Sequence, residues 1–364
     1  MAALGLQMSP LVSIVLLNYR NAPDTIECLE SLLRLDYPNF EIIVCDNDSQ
    51  DGSVAMISAW ARGEIAPSAT HPSQTAERVP RWQSGVSWRL MQPAALGLPR
   101  LHDDPLIHLI PTGQNGGFSA GNNVGLRHAL AKPEVAFIWL LNNDTVVAPD
   151  ALGALVERMR QDPSIGICGA RLINYEPAGG VQALGGAMYA RWRARARTLM
   201  PSHVPGLHGE QLQAAVEARM SYVIGASMLV PRRFVETVGL LSEAYFLYFE
   251  ELDWVRRAAG RFRLGYCDGA VVYHRLGSTT GEALNAEFSS FHLSRSRIRF
   301  VAQFDVWALP LAYAFGAYDS LKALLKGRSR RAKGIWRGLR DSSPLQLLQL
   351  YQSRSNSPVK GGAD

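Results

Sequence analysis

Four absences narrow the field before any motif is weighed. The 364 residues hold only four cysteines, Cys28, Cys45, Cys168 and Cys267, widely separated and mostly inside apolar runs. That pattern supplies neither a disulfide framework nor a Cys-x-x-Cys redox or metal motif, so a reducing cytoplasm is the simpler expectation. No positive residue precedes Arg20, and the short apolar run there reads as a first strand rather than a secretory leader. The most membrane-like stretch, Val306 to Tyr318, contains Pro310 and is closed by Asp319, which makes it too short to span a bilayer. Finally, no Gly-rich phosphate loop follows the first apolar run, where Asn18-Tyr19-Arg20-Asn21 stands instead; this argues against dinucleotide-dependent oxidoreductases and against nucleotidyl transfer on a related fold.

What is present organises itself around Phe137 to Asp150, FIWLLNNDTVVAPD. Phe137 to Leu141 is a continuous apolar run, the pattern of a strand buried on both faces, and it breaks into Asn142, Asn143 and Asp144. Carboxyl ends of strands are where ligands sit in open parallel sheets, so a carboxylate here can hold a divalent cation against a phosphorylated substrate. Standing alone, Asn-Asn-Asp is as readily a turn that caps the next helix.

The rest of the chain repeats the theme. Val12 to Leu17 is a strand ending at Asn18-Tyr19-Arg20, followed by a helix from Asp24 to Leu35; Phe40 to Cys45 is a second strand, ending at Asp46-Asn47-Asp48-Ser49 before a helix to about Ala61. The strand-helix-strand order predicts parallel pairing with both polar ends at one edge. Residues 62–104 lose periodicity and read as an irregular insertion. A third strand, Leu106 to Ile110, leads into PTGQNGGFSAGN, whose Gly116, Gly117 and Gly121 permit close backbone approach to a ligand, and then to a helix from Asn122 to Ala131. A strand around Ile165 to Ala170, an irregular region over 174–219, a strand at Tyr222 to Val230, an acidic helix within Phe246 to Ala259 and a strand ending at His274 complete this part. Beyond Glu282 the sequence is largely helical and ends in a basic stretch, with no acidic residue between Lys322 and Arg340. The expected layout is a domain over 1–281, a helical basic region over 282–340 and a flexible tail over 341–364.

The segments VSIVLLNYRN, IIVCDNDSQDGS, NGGFSAGNNVGLRHAL, WLLNNDTVVAPDAL, IGASMLVPRRF, YFEELDWVRRAAG and AVVYH resemble, in order, the inverting family-2 glycosyltransferases of the GT-A fold, and among them the bacterial rhamnosyltransferase type. The resemblance implies an α/β fold with a mixed, mostly parallel sheet flanked by helices, and sugar transfer from a dTDP- or UDP-sugar to a saccharide or lipid-linked acceptor. It implies a Mg²⁺ or Mn²⁺ ion held by Asp144 and His274. Asn142 takes the first acidic position of the family's Asp-x-Asp pattern, a weaker neutral ligand. Asp46 would accept the imide N–H of a uracil or thymine ring, which suits an acceptor-only carboxylate. Asn18, Tyr19, Asp48, Asn115, Gly117, Phe118, Asn122 and Asn143 would complete the donor pocket. The acceptor hydroxyl needs a general base, for which Glu251 is favoured and Glu250 follows closely. Asp253 and Arg257, four apart, read as an ion pair, and Asp51 as an Asx turn before a helix.

Trp307, Tyr313, Phe315, Tyr318 and Trp336, interleaved with the basic stretch, suit a helix lying on an anionic membrane, which would place the protein peripherally on the inner face of the cytoplasmic membrane. No nucleic-acid-binding motif accompanies that charge. The competing function classes are a nucleotidyltransferase on a related fold and a non-catalytic sugar-nucleotide binder, the latter prompted by Asn142 in place of an acid.

Overall fold

A computed structural model describes residues 9–65, 86–91, 105–176, 179–275 and 286–342. Most of the expected insertion, 66–85 and 92–104, and the expected tail from 343 onward lie outside the described residues. The chain forms two compact units: the first holds residues 1–188, 197–244 and 250–279, the second 189–196, 245–249 and the chain from 280 onward.

The first unit alternates strands and helices as the apolar runs demand. Its first half is β1 (Leu11–Asn18), α1 (Ala22–Leu32), β2 (Phe40–Asp46), α2 (Ser53–Ala61), β3 (Trp88–Leu90), β4 (Ile107–Pro111), α3 (Gly117–Leu130) and β5 (Val135–Asn142). Its second half is β6 (Thr145–Val147), α4 (Ala151–Gln161), β7 (Ile165–Asn174), β8 (Val181–Leu184), β9 (Gly186–Ala190), β10 (Arg195–Thr198), α5 (Gly209–Glu217), β11 (Tyr222–Val223), β12 (Ser227–Pro231), α6 (Arg232–Val238), α7 (Glu250–Ala258) and β13 (Arg263–His274). The hairpin of β9 and β10 runs on into the second unit. The main sheet runs β3-β4-β2-β1-β5-β12-β7-β13-β6, with β8 on β7. The pairs β1–β2, β1–β5, β2–β4 and β7–β13 are parallel, whereas β12 is antiparallel to β5 and β7, and β6 to β13.

Along β1, Val12, Ile14 and Leu16 face one apolar core and Leu11 and Val15 the other. Each such side chain, fully removed from water, contributes about 1.5–3 kcal/mol. The register sets Asn18 beside Asp46 and Leu17 beside Asn142, so the polar ends of β1, β2 and β5 share one edge. On the far side of the sheet, β13 pairs with β6 so that His274 lies opposite Thr145.

Three local expectations change. α3 begins at Gly117, five residues ahead of the expected Asn122. Its glycine at 121 serves packing rather than a ligand: a Cβ there would lie 2.3 Å from Leu17 Cδ1, and one at Gly125 would lie 2.5 Å from Val15 Cγ1, so α3 sits directly on β1. The expected strand from Tyr222 to Val230 is two strands, β11 and β12, broken at Ile224-Gly225-Ala226.

The second unit contains α8 (Ala286–Phe304), α9 (Leu309–Leu325) and α10 (Ser329–Arg340). Gly316 of α9 lies under Leu339 of α10, where a Cβ would meet Leu339 Cδ2 at 2.7 Å, and Ser320 Oγ donates to Ala332 O at 3.1 Å. Gly334 and Gly338 let α10 approach the α8 backbone at Glu287 and Phe291 in the same way. Two of the aromatics expected on a membrane face are engaged within this unit: the Tyr313 hydroxyl donates to Ser342 O, and Phe315 carries the Arg195 guanidinium at 5.5 Å.

Candidate active site

The shared edge is built from the ends of β1, β2 and β5. Asn18 is fully buried; its Nδ2 donates to Asp46 Oδ2 at 2.6 Å, and its Oδ1 accepts from Thr25 Oγ1 at 2.8 Å. Ser49 donates to both Asp46 oxygens, from its N–H at 3.0 Å and from its Oγ at 2.6 Å. The Asx turn is therefore made by Asp46 as well as by Asp51, which accepts from Ser53 N at 3.0 Å ahead of α2. Asn143 is also buried, its Nδ2 donating to Thr25 Oγ1 at 2.9 Å, which ties the β5–β6 turn to α1. Beside this cluster Asn47 Nδ2 donates to Asn115 Oδ1 at 2.9 Å and to Gly117 O at 3.2 Å. Asn115 Oδ1 also accepts the Gly117 N–H.

Not every expected donor-pocket residue joins this network. Asn122 is buried and donates back to Phe118 O at 3.0 Å, while the Phe118 ring packs on the core. Asp48 has a positive φ of 60° and is partly exposed. Tyr19 is partly exposed with the Arg20 guanidinium 5.2 Å from its ring centre.

At the end of β5 the antiparallel pairing of β6 and β13 delivers His274 to Asp144. His274 Nε2 lies 3.3 Å from Asp144 Oδ1 and 3.5 Å from Asn142 Nδ2. The other ring nitrogen, Nδ1, is 2.7 Å from Gln182 Oε1. Gln182 Nε2 donates to His274 O at 3.2 Å and to Asn174 Oδ1 at 3.3 Å, so the amide oxygen is the atom turned to the ring. An amide oxygen only accepts, which assigns a proton to Nδ1 and turns Nε2 toward the carboxylate. An imidazole nitrogen and an almost entirely buried carboxylate thus stand side by side, residue types that also serve as ligands of divalent cations. Among the described residues no group of three or more His, Cys, Asp or Glu side chains that could hold a metal ion gathers around a point; Asp144 and His274 stand as a pair. Gln182 carries no sequence signal, since it falls in the stretch that looked irregular and acts only through β8 lying on β7.

Beneath the site Cys28 is buried, its Sγ 3.6 Å from Thr145 Oγ1, and burial pushes its thiol up to about 12, which makes it a packing group rather than a nucleophile.

The acidic pair opens α7. Glu251 Oε1 accepts the Gly225 N–H at 3.2 Å, and a Cβ on Gly225 would fall 2.4 Å from that oxygen. Gly225 is therefore glycine because a carboxylate rests on its backbone, and the break between β11 and β12 exists to present that N–H. The next residue, Ala226, accepts the Asn142 N–H at 3.0 Å, so the backbone that holds Glu251 is bonded to the end of β5. Burial raises the Glu251 carboxyl above the usual carboxylate range, opposed by the hydrogen bonds from its own N–H and that of Gly225. The Tyr222 hydroxyl is raised as well, by burial first and then by the charges of Glu251 and Glu250. Glu250 is buried while Glu251 is partly exposed. Asp253 and Arg257 form the ion pair their spacing predicts, at 2.5 Å, and Arg257 also donates to Val238 O and Leu240 O; that guanidinium is spent inside the fold.

Comparison with known proteins decides the family. The family model described as "Glycosyl transferase family 2" matches residues 13–68 and 94–209. The chain carries a family 2 glycosyltransferase domain. Asn18, Asp46, Asn115 and Asp144 fall within the match, whereas Glu250 and Glu251 of α7 and His274 of β13 lie beyond it. A low-salt glycan biosynthesis hexosyltransferase, Agl10, of Haloferax volcanii is 28% identical over 176 residues, covering 48% of this chain and 52% of that relative, so the chain matches about half of that protein's length. An N-acetylglucosaminyl-diphospho-decaprenol L-rhamnosyltransferase of Mycobacterium tuberculosis is 24% identical over 239 residues, covering 62% of this chain and 77% of that protein. Among solved structures, the mannosyltransferase PcManGT of Pyrobaculum calidifontis, in complex with GDP-Man and Mn²⁺, superposes with a TM-score of 0.51 at 14% identity, over 92% of this chain and 88% of its own. GalNAc-T7 with UDP, GalNAc and Mn²⁺ gives 0.52 at 13% identity, over 97% and 59%. The family 2 domain has the GT-A architecture: a mixed, mostly parallel sheet flanked by helices.

Proposed function

We propose that this protein is a metal-dependent inverting glycosyltransferase that moves a sugar, rhamnose from dTDP-rhamnose being the leading candidate, to a saccharide or lipid-linked saccharide acceptor. The observation that carries the reading is the pair Asp144 and His274, 3.3 Å apart with the Nδ1 proton committed to Gln182. Asp144 and His274 would hold the Mg²⁺ or Mn²⁺ ion, with Asn142 beside them. When bound, such an ion stabilises the charge that grows on the departing nucleoside diphosphate.

The chain's own groups supply the rest. An ionised Asp offers roughly four acceptor positions, and Asp46 spends three of them on Asn18 Nδ2, Ser49 Oγ and Ser49 N. The fourth suits a single N–H such as the imide of uracil or thymine, and Asn18 and Ser49 hold the carboxylate still for it. Glu251, its carboxyl raised by burial and steadied on Gly225 N, is the base that takes the acceptor hydroxyl's proton. Its partial exposure favours it over the buried Glu250. Similarity to the rhamnosyltransferase supports a sugar acceptor on a lipid diphosphate, and work on such an acceptor would occur at a membrane face.

A panel of dTDP- and UDP-sugars, followed by hydrolysis and transfer with and without Mn²⁺, tests this. The expected result is turnover of one or a few donors that a chelator abolishes and that Asp144→Ala lowers by about a thousandfold, the scale of several kcal/mol of charge stabilisation. Donor binding with no metal-dependent turnover of any sugar nucleotide would overturn it in favour of a sugar-nucleotide binder.

A further inference from the structure

The second unit displays an inversion of the usual helix pattern. α9 buries its small residues, Ala312, Gly316, Ser320 and Ala323, against its neighbours, and turns its large apolar residues outward. Leu311, Tyr318, Leu321 and Leu325 are 43%, 57%, 55% and 80% exposed. Their spacings of seven, three and four keep them on one stripe along the helix, and the buried set lies on the opposite face. A helix whose only contact was its buried face would carry polar residues on that stripe. Cations frame it. Lys322 and Lys326 stand on α9's exposed side, and Arg328, Arg330 and Arg331 follow at the start of α10, all exposed. No acidic residue occurs between Lys322 and Arg340. No helix among the described residues is long and apolar enough to cross a membrane.

We infer that the outward stripe of α9 inserts into the interfacial zone of an anionic bilayer, with the lysines and arginines beside it on lipid phosphates. A surface helix with an apolar face and flanking cations binds in that way, shallowly and in proportion to anionic lipid. The charge decides the occupant: a second copy of this surface would bring the same cations face to face, whereas a negatively charged leaflet neutralises them. The inference deepens the membrane part of the proposed function but stands on the second unit's own residues, so it can fail or hold independently of the catalytic reading.

The test uses the full chain and sedimentation with large unilamellar vesicles of phosphatidylcholine alone or mixed with phosphatidylglycerol. The chain pellets with the mixed vesicles, weakly with neutral ones, and less as salt rises. Leu321→Glu/Leu325→Glu releases it, and Lys322→Gln/Lys326→Gln, which leaves the helix surface intact, lowers partition by about fivefold per charge removed. Circular dichroism of each variant matches the parent, because all four positions are exposed. Asp144→Ala pellets like the parent, which separates this inference from the metal site. Equal partition of parent and Glu variants would overturn the inference. So would an absence of vesicle binding, and so would sedimentation velocity showing a dimer that the Glu variants split.

Discussion

The two ends of the central strands make an instructive pair. At the amino-terminal side of the sheet Glu41, His108, His128 and Lys132 are all buried, and Lys132 Nζ meets Glu41 Oε2 at 2.5 Å while Ser13 Oγ donates to Glu41 Oε1 at 2.7 Å. The His108 and His128 rings pack 4.9 Å apart against that pair. At the carboxyl side Asp144 is nearly as buried, yet the group facing it is the His274 imidazole, whose other nitrogen is turned toward Gln182. One buried carboxylate is paired with an ammonium group, and the other stands beside an imidazole nitrogen. A closed charge pair is a structural element whose removal costs folding; a buried carboxylate beside an imidazole at the carboxyl edge of a parallel sheet is a candidate place for chemistry. Burial and charge alone do not separate the two, and the chemistry of the facing atom does.

The largest effect should come from the base. Glu251→Gln should lower transfer by about a hundredfold to ten-thousandfold, the range of general base catalysis, with donor affinity in an equilibrium titration unchanged; intact turnover would move the role to Glu250. The same variant carries a stability sign. Because its folded carboxyl is raised, Glu251 favours folding below the ordinary carboxylate pKa, and that contribution is lost as pH rises through the raised value. Glu251→Gln should therefore melt higher than the parent at neutral pH and equal to it in acid, while the parent's transfer rate falls as pH drops through a point above the ordinary carboxylate range. Next, Lys132→Met leaves Glu41 buried with only the His108 imidazole beside it, 3.6 Å away, and should cost about 3–5 kcal/mol of stability in denaturant unfolding, with Mn²⁺ affinity of the folded protein unchanged; a change in metal affinity would erase the distinction between the two ends. The smallest effect belongs to Gln182→Ala, which frees the His274 ring and should weaken Mn²⁺ binding by about tenfold to a hundredfold without shifting the melting temperature by more than a few degrees.

How far the sequence carried this account can be seen in particular residues. The polar breaks after the apolar runs located Asn18, Asp46 and Asn142 at one edge, because parallel pairing leaves no other place for consecutive strand ends. The meeting of Asp144 with His274 followed from the family resemblance, not from spacing, since it depends on an antiparallel contact between β6 and β13 across 130 residues. Gly225 was visible as a glycine in a strand-like run but its purpose was not, as the Glu251 carboxylate that requires it comes from another element. The Glu41 and Lys132 pair left no trace at all: each is an ordinary charged residue in its own segment, and only the packing of α3 over the sheet joins them. Sequence periodicity reports which face a residue takes, while the partner on that face is decided by register.

The most direct measurement is Mn²⁺ binding to the full chain by isothermal titration calorimetry in the presence of dTDP, compared among the parent, Asp144→Ala and His274→Ala. The account predicts that both substitutions weaken binding at least tenfold while donor-free melting stays close to the parent. Mn²⁺ affinity that is unchanged in His274→Ala would contradict it.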